Sequence, residues 1–189
     1  MRLFLAINPP LHVASAIWTA TAPVRDAWPD VSWVAEPRIH LTLKFLGEQP
    51  EAIVTPLAEA IRAIAQSHAA PLVRVGGLGA FPNFRRPRVV WIGVEPEPRL
   101  ELLHHDIEVA CDALGHEIDG RPFRPHLTLG RVKGRGDIEQ VRALRAAAMK
   151  VRFSDEFLVQ VIDVMRSAVG PAGRTHTTLA TAPLRGTFR

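Results

Sequence analysis

His40-Leu41-Thr42-Leu43 and His126-Leu127-Thr128-Leu129 are the same tetrapeptide, and the second copy begins 86 residues after the first. A lead-in with an arginine and a proline precedes each copy, and a turn signal followed by a helical pattern comes after each one. The chain therefore contains a degenerate repeat of a strand–turn–helix unit, and this repeat decides how the rest of the sequence is interpreted.

The alternation of side chains along a strand gives the repeat a geometric meaning. Residues two positions apart in a strand point to the same face of the sheet, so His40 and Thr42 share one face and the leucines of the motif point into a core. The same parity predicts that Lys44 faces the cleft with His40 and that Phe45 belongs to the core. An approximate twofold relation between the two strands then brings two His–Thr pairs to opposite sides of one cleft.

Two facing imidazoles suit general acid–base chemistry. Histidine titrates near pH 6.5, so one ring can accept a proton while the other donates one, and each role contributes about 10²–10⁴ in rate. Threonine hydroxyls can donate hydrogen bonds to the oxygens of a phosphate in its transition state. His40, His126, Thr42 and Thr128 are therefore the candidate catalytic residues for a displacement at phosphorus that needs no metal ion.

Two other interpretations of the histidines stay open at this point. They could be structural side chains held by hydrogen bonds, or zinc ligands, although the chain has no His-x-x-x-His or His-Glu-x-x-His pattern. A third segment, His176-Thr177-Thr178-Leu179, also fits His-x-Thr-x. It lacks the lead-in and the following helix, so we interpret it as an ordinary strand and leave His176 outside the chemistry.

The composition sets the broad class of the protein. The chain has 189 residues, 47% of them hydrophobic and 22% charged, which indicates a folded domain. The formal net charge of +4 is compatible with a phosphate-bearing partner without demonstrating one. A single cysteine, Cys111, excludes an intramolecular disulfide and a cysteine-rich zinc site. The apolar runs are too short for a signal peptide or a membrane span, so we expect a cytoplasmic protein that does not bind a membrane.

Short strands and helices alternate along the whole chain, which predicts one α+β domain over residues 1–189. The predicted helices cover residues 11–27 with a bend at Pro23, residues 51–68, residues 99–114, and a segment that Asp137 and Gln140 begin as a capping box. The predicted strands cover residues 2–7, 32–34, 39–46, 72–75, 89–94, 126–132, 157–165 and 175–184. The last two form a hairpin around residues 170–173.

At this level of detail the sequence resembles the RNA 2′,3′-cyclic phosphodiesterases, also called 2′-5′ RNA ligases, of the two-histidine phosphoesterase superfamily. The resemblance covers nearly the whole chain. The segments that carry it are residues 2–7, Trp33-Val34, residues 40–48, residues 79–82, residues 87–91 and residues 123–131. One departure is Met165 before Arg166-Ser167, where family members often carry an aromatic residue.

The resemblance implies a fold and an activity. The fold would be two pseudo-symmetric lobes, each an antiparallel sheet with outer helices, and an active-site cleft between them. The activity would be hydrolysis of an RNA 2′,3′-cyclic phosphate end to a 2′-phosphomonoester, with reversible 2′-5′ ligation as a secondary reaction. His40 would be the proton donor to the leaving 3′ oxygen and His126 the proton acceptor, while Thr42 and Thr128 would hold the phosphate.

Cations near the motifs are candidates for substrate binding: Lys44 by its parity, and Arg124 and Arg131 because they flank the second motif. The arginines of residues 85–88 form either a solvated loop or a contact to RNA phosphates. We expect no cofactor, RNA ends as substrates, and a monomer without an obligate protein partner. Two alternatives remain: a non-catalytic RNA-binding protein, and a phosphodiesterase for small cyclic phosphates or 2′-5′ oligonucleotides.

Overall fold

The computed structural model describes residues 1–134, 136–170 and 173–186, and in these ranges nine strands and five α-helices follow one another. The strands are β1 (Arg2–Ile7), β2 (Ser32–Trp33), β3 (Leu41–Glu48), β4 (Leu72–Phe81), β5 (Val89–Val94), β6 (His126–Arg131), β7 (Ser154–Leu158), β8 (Val161–Gly170) and β9 (Gly173–Pro183). The helices are α1 (Leu11–Ala20), α2 (Ala22–Ala27), α3 (Val54–Ser67), α4 (Pro98–Ala113) and α5 (Ile138–Lys150), with single 3₁₀ turns at Glu36–Arg38 and Glu51–Ile53.

The strands form one antiparallel sheet with two halves. Its order is β7-β4-β5-β6-β3-β1-β8-β9, and the short β2 pairs with β6 outside this path. We call β7-β4-β5-β6 the second lobe and β3-β1-β8-β9 the first lobe. The lobes meet where β3 pairs antiparallel with β6, at Leu41 opposite Leu127. The expected α+β fold of two similar antiparallel lobes is confirmed.

The helices bury their apolar stripes against one face of the sheet and leave the other face open. The buried apolar residues of α3 and α4 repeat at helical spacing: Leu57, Ile61 and Ala65 in α3, and Leu100, Leu103, Ile107 and Cys111 in α4. They join Leu41, Leu43, Leu127 and Leu129 of the motifs in one core. Among the described helices, none combines the length and the apolar character that a bilayer crossing requires.

Most helix boundaries follow the predicted signals. Asp137 accepts a hydrogen bond from the Gln140 backbone N–H at 2.7 Å, and the Gln140 side chain accepts one from the Asp137 N–H at 3.1 Å, so the capping box is confirmed. The helix predicted at residues 11–27 is two helices, α1 and α2, separated at Thr21. The predicted bend near Pro23 is therefore a complete break.

The last strands differ from the prediction in their boundaries. The single strand predicted at residues 157–165 is two strands, β7 and β8, because the chain leaves β4 after Leu158, pairs with β9 from Val161 and pairs with β1 from Asp163. The final hairpin is present as the pairing of β8 with β9, with Gly170 opposite Gly173. Its turn, residues 171–172, lies outside the described residues.

Both motif strands carry a β-bulge at the same position. Opposite Ala6 and Leu5 of β1, strand β3 places Thr42 and Lys44, so it holds one residue more than its partner. Opposite Trp91 and Val90 of β5, strand β6 places Thr128 and Gly130 in the same way. A bulge of this kind breaks the alternation of faces, so the parity prediction fails for residues after the second leucine of each motif.

Candidate active site

The seam between the lobes brings the two motifs together. With Leu41 opposite Leu127, the antiparallel register sets His40 beside Thr128 and Thr42 beside His126 across the seam. The motif leucines are buried on the helix side of the sheet, so the histidines and threonines lie on the open face. All four candidate catalytic residues are therefore neighbours at the centre of the molecule.

Each histidine ring is anchored to the backbone two residues before it. His40 Nδ1 lies 2.7 Å from the carbonyl oxygen of Arg38, and His126 Nδ1 lies 2.8 Å from the carbonyl oxygen of Arg124. A carbonyl oxygen only accepts, so both Nδ1 atoms carry a hydrogen and donate it. This fixes the tautomer and leaves both Nε2 atoms for proton transfer with a ligand.

Burial lowers the pKa of both histidines, because it disfavours the charged ring. The hydrogen bond to the preceding carbonyl opposes this shift in each case, and the positive charge of Arg131 adds to it. The charge of His126 lowers the pKa of His40 further. The lowered pKa values favour the neutral form of both rings at pH 7, and an approaching phosphate anion favours protonation of one of them.

Aromatic side chains hold the rings from the side. The Phe4 ring centroid lies 5.0 Å from that of His40, and the Phe81 centroid lies 5.0 Å from that of His126. Trp91 adds a second ring 6.2 Å from His126. These contacts restrict the χ2 rotation that would move Nε2 away from the cleft, so the imidazoles are oriented before a ligand binds.

The threonines of the motifs lie on the same face of the sheet as the histidines. Thr42 follows His40 on the open face beside Ala6, and Thr128 follows His126 beside Trp91. In the part of the chain that the structure describes, neither hydroxyl makes a hydrogen bond to protein. The two threonines are half-buried, and hydroxyl donors near imidazole nitrogens are groups that can bind the oxygens of a tetrahedral oxyanion.

The three cations predicted to bind substrate lie in different places. Arg131 lies close enough to both histidines to lower their pKa values. Arg124 contributes its carbonyl oxygen to His126, and its side chain is exposed.

Lys44, which parity places in the cleft, lies on the opposite face of the sheet, because the bulge turns it toward α4. Its Nζ lies 2.6 Å from Glu108 Oε2 and 2.8 Å from the Glu117 carbonyl oxygen, and its side chain is only 4% exposed. The expectation that Lys44 binds substrate is therefore wrong. The same bulge turns Phe45 away from the helix side of the sheet. Its side chain is 64% exposed, so the expectation that it belongs to the core is also wrong.

His176 lies in the site although the sequence interpretation left it out. Its ring centroid is 5.1 Å from that of His40 and 5.1 Å from that of Phe4. Burial and the charges of His40, Arg38 and Arg174 lower its pKa to about 4, so this ring is neutral at pH 7. The third His-x-Thr-x motif was the available signal, but only the pairing of β9 with β8 shows which histidine it approaches.

The arginine loop at residues 85–88 borders a cavity whose lining includes neither His40 nor His126. The cavity is open, has a volume of about 860 Å³ and is lined by Pro82, Arg85, Arg86, Pro87, Arg88, Val132, Gly134, Gly136 and Val141. Among the described residues, no cluster of three or more His, Cys, Asp or Glu side chains is arranged to hold a metal ion.

Comparison with known proteins identifies the superfamily to which this chain belongs. The model of the 2′-5′ RNA ligase superfamily matches residues 13–171, so the chain belongs to that superfamily. The resemblance stated from the motifs is thereby confirmed.

Relatives named RNA 2′,3′-cyclic phosphodiesterase match most of the chain. The one from Thermus thermophilus is 34% identical and covers 98% of this chain and 91% of its own length. The one from Methanothermobacter thermautotrophicus is 28% identical, with 94% and 95% covered. The one from Geobacillus stearothermophilus is 34% identical over 97% of this chain, which spans only 57% of that relative's length.

Solved structures agree with the fold. The crystal structure of TT0787 of Thermus thermophilus superposes with a TM-score of 0.81 at 32% identity, covering 98% of this chain and 99% of that one. Escherichia coli LigT complexed with 3′-AMP gives a TM-score of 0.73 at 24% identity, with 97% and 98% covered, which supports the architecture alone.

Proposed function

We propose that this protein hydrolyses the 2′,3′-cyclic phosphate at the end of an RNA to a 2′-phosphomonoester. The observation that carries the proposal is the seam at Leu41 and Leu127, where the register brings two His–Thr pairs together on one face. Both Nδ1 atoms there are held by carbonyl oxygens, which leaves both Nε2 atoms for a ligand. The names of the relatives supply the substrate class, and the site supplies the acid, the base and the oxyanion donors that this substrate needs.

The reaction is an in-line displacement at phosphorus. His126 Nε2 accepts a proton from water as the water oxygen forms a bond to phosphorus. The bond between phosphorus and the 3′ oxygen breaks, and the protonated His40 Nε2 donates its proton to that oxygen. The products are a 2′-phosphate and a free 3′ hydroxyl. His126 is then protonated and His40 neutral, and exchange with solvent restores the starting state.

The threonines act on the charge that the other oxygens carry. Thr42 and Thr128 donate hydrogen bonds to the non-bridging oxygens, whose negative charge is stabilised in the transition state. Arg131 adds a positive charge beside both histidines. The exposed Arg124 is a candidate contact for RNA outside the reacting phosphate.

The antiparallel register at the seam gives both histidines the same position, so it does not distinguish the proton donor from the acceptor. We therefore assign the two roles by the order of the motifs in the family. The same residues catalyse 2′-5′ ligation as a secondary activity when an RNA 5′ hydroxyl replaces water. The 5′ oxygen then bonds to phosphorus while the bond to the 3′ oxygen breaks, and attack of the freed 3′ hydroxyl on the 2′-5′ linkage reverses the step. We further propose that the protein acts in the cytoplasm as a monomer and uses no metal ion.

A substrate panel with product analysis tests this function. We expect release of 2′-phosphate ends from RNA with a 2′,3′-cyclic phosphate, with full activity in the presence of a chelator. Loss of activity on chelation would contradict the metal-free mechanism. Salt-sensitive RNA binding without turnover would indicate the non-catalytic alternative. Faster turnover of small cyclic phosphates or 2′-5′ oligonucleotides would indicate the other substrates.

A further inference from the structure

A row of polar side chains crosses the first lobe beside His40. Arg2 of β1 lies opposite Ser167 of β8, and Ser167 lies opposite His176 of β9. Directly opposed residues of antiparallel strands share a face, and His176 contacts His40 on the open face. The whole row therefore lies on the face of the sheet that carries the site.

Two further arginines join this row through hydrogen bonds. Arg174 Nη1 donates to Ser167 Oγ at 3.0 Å, and Arg38 Nη1 donates to the carbonyl oxygen of Arg174. The Arg38 carbonyl oxygen is the anchor of His40. Hydrogen bonds therefore connect Arg38, whose carbonyl oxygen holds the His40 ring, with Arg174 and Ser167.

The positive charges of this cluster lack acidic partners. Among the described residues, no carboxylate lies within 4 Å of the guanidinium nitrogens of Arg2, Arg38 or Arg174. Glu48, the acidic residue opposite Arg2 in β1 and β3, lies 3.5 Å from the N-terminal amine instead. Burial lowers the pKa of Arg131, and repulsion from Arg174 and Arg2 lowers it further. Such a cluster is unfavourable by itself and favourable around an anion.

We propose that Arg2, Arg38, Arg174 and His176 form a subsite for the phosphodiester that joins the terminal nucleotide to the RNA on its 5′ side. The arginines neutralise this second phosphate, and the neutral imidazole of His176 donates one hydrogen bond to it. In the described residues the His176 nitrogens make no hydrogen bond to protein, so this donor is available.

The chemistry of the ribose places this phosphate on the correct side. The proposal rests on the proposed function, in which His40 protonates the 3′ oxygen. The 3′ carbon is bonded to C4′, which bears the 5′ carbon and its phosphate. The RNA chain therefore leaves the reacting phosphate on the side of His40, and the arginine row lies on that side.

The test compares substrates with one and two phosphates. The probes are a mononucleoside 2′,3′-cyclic phosphate, a dinucleotide with the same cyclic end, and that dinucleotide with a neutral methylphosphonate linkage. We expect the dinucleotide to have a kcat/KM about tenfold or more above that of the other two. In Arg174→Ala and in His176→Ala this preference falls toward one. Arg62→Ala removes one exposed arginine from the helix side and keeps the preference.

Binding of reaction products separates this proposal from the proposed function. The dissociation constants of a dinucleotide and a mononucleotide, each with a 2′-phosphate end, are measured by calorimetry without any turnover. Tighter binding of the dinucleotide that depends on Arg174 supports the subsite even if no cyclic phosphate is hydrolysed. Equal binding of the two ligands, or a preference that survives Arg38→Ala, Arg174→Ala and His176→Ala together, overturns the subsite even if hydrolysis is confirmed.

Discussion

The surroundings of His40 and of His126 agree in backbone and differ in side chains. Each ring donates Nδ1–H to the carbonyl oxygen two residues earlier and lies 5.0 Å from a phenylalanine. Beyond this shell, His40 has His176 and a group of arginines, while His126 has Trp91. The shared features prepare the rings for proton transfer, and the different ones determine what each side of the cleft attracts.

The two bulged strands, β3 and β6, also agree in backbone and differ in side chains on the helix side of the sheet. The residue four positions after the histidine turns toward the helices in both strands. It is Lys44 in β3, where it is paired with Glu108, and Gly130 in β6, where Trp33 packs so closely that a Cβ would not fit. The repeat thus keeps its backbone irregularity and fills the resulting space in two different ways.

The largest expected effect comes from removing either ring. His40→Ala and His126→Ala should each lower kcat/KM by about 10²–10⁴-fold, because each removes a proton-transfer group. The double variant should be little worse than either single one, since the two groups act as a unit. Steady-state kinetics check this, with His105→Ala on the exposed face of α4 as the control. Near-normal activity in either single variant would contradict a mechanism that uses both histidines.

Lys44 gives the next largest effect, on stability. Lys44→Met leaves the buried carboxylate of Glu108 without its cation and should destabilise the fold by about 3–5 kcal/mol. The double variant Lys44→Met/Glu108→Leu should recover most of that loss, because it removes both buried charges. Denaturant unfolding measures both values. A Lys44→Met protein of unchanged stability with a raised KM would instead show that Lys44 binds substrate.

The threonines test the symmetry of the cleft. Thr42→Val and Thr128→Val keep the shape and remove one hydroxyl donor, so each should lower kcat by about 10²-fold. Thr→Ser at either position should retain most activity. A large loss at one threonine with almost none at the other would show that the phosphate is held from one lobe only.

The smallest effect is a shift of the pH profile. The charge of Arg131 lowers the pKa of both histidines, so Arg131→Gln should raise both pKa values. Both limbs of the bell-shaped profile of kcat/KM against pH should then move to higher pH, in addition to any change in KM. The matched control is Arg62→Gln. A shift of both limbs to lower pH would contradict the electrostatic role of Arg131.

The fold and the meeting of the two motif strands could be predicted because they depend on local patterns. The repeated tetrapeptide predicts two strands, its leucines predict the buried face, and Asp137 with Gln140 predicts the start of a helix. Lys44 and Phe45 were misplaced because a bulge is an insertion relative to the partner strand, which a single strand's alternation does not reveal.

His176 was missed for a different reason. It reaches His40 only through the order of strands, since β9 is separated from β3 by β8 and β1. The arginines around it come from three distant segments of the chain. Their proximity depends on which residues pair across the sheet, and no spacing within the sequence expresses it.

The order of strands also has a consequence for synthesis of the chain. The second lobe uses a continuous stretch, from β4 at Leu72 to β7 at Leu158, whereas β1 of the first lobe pairs with β8, which begins at Val161. During translation the surroundings of His126 are complete while one edge of β1 still lacks its partner, and an unpaired strand edge favours aggregation. The strands β8 and β9, which leave the ribosome after the second lobe, therefore close this edge and bring His176 to His40.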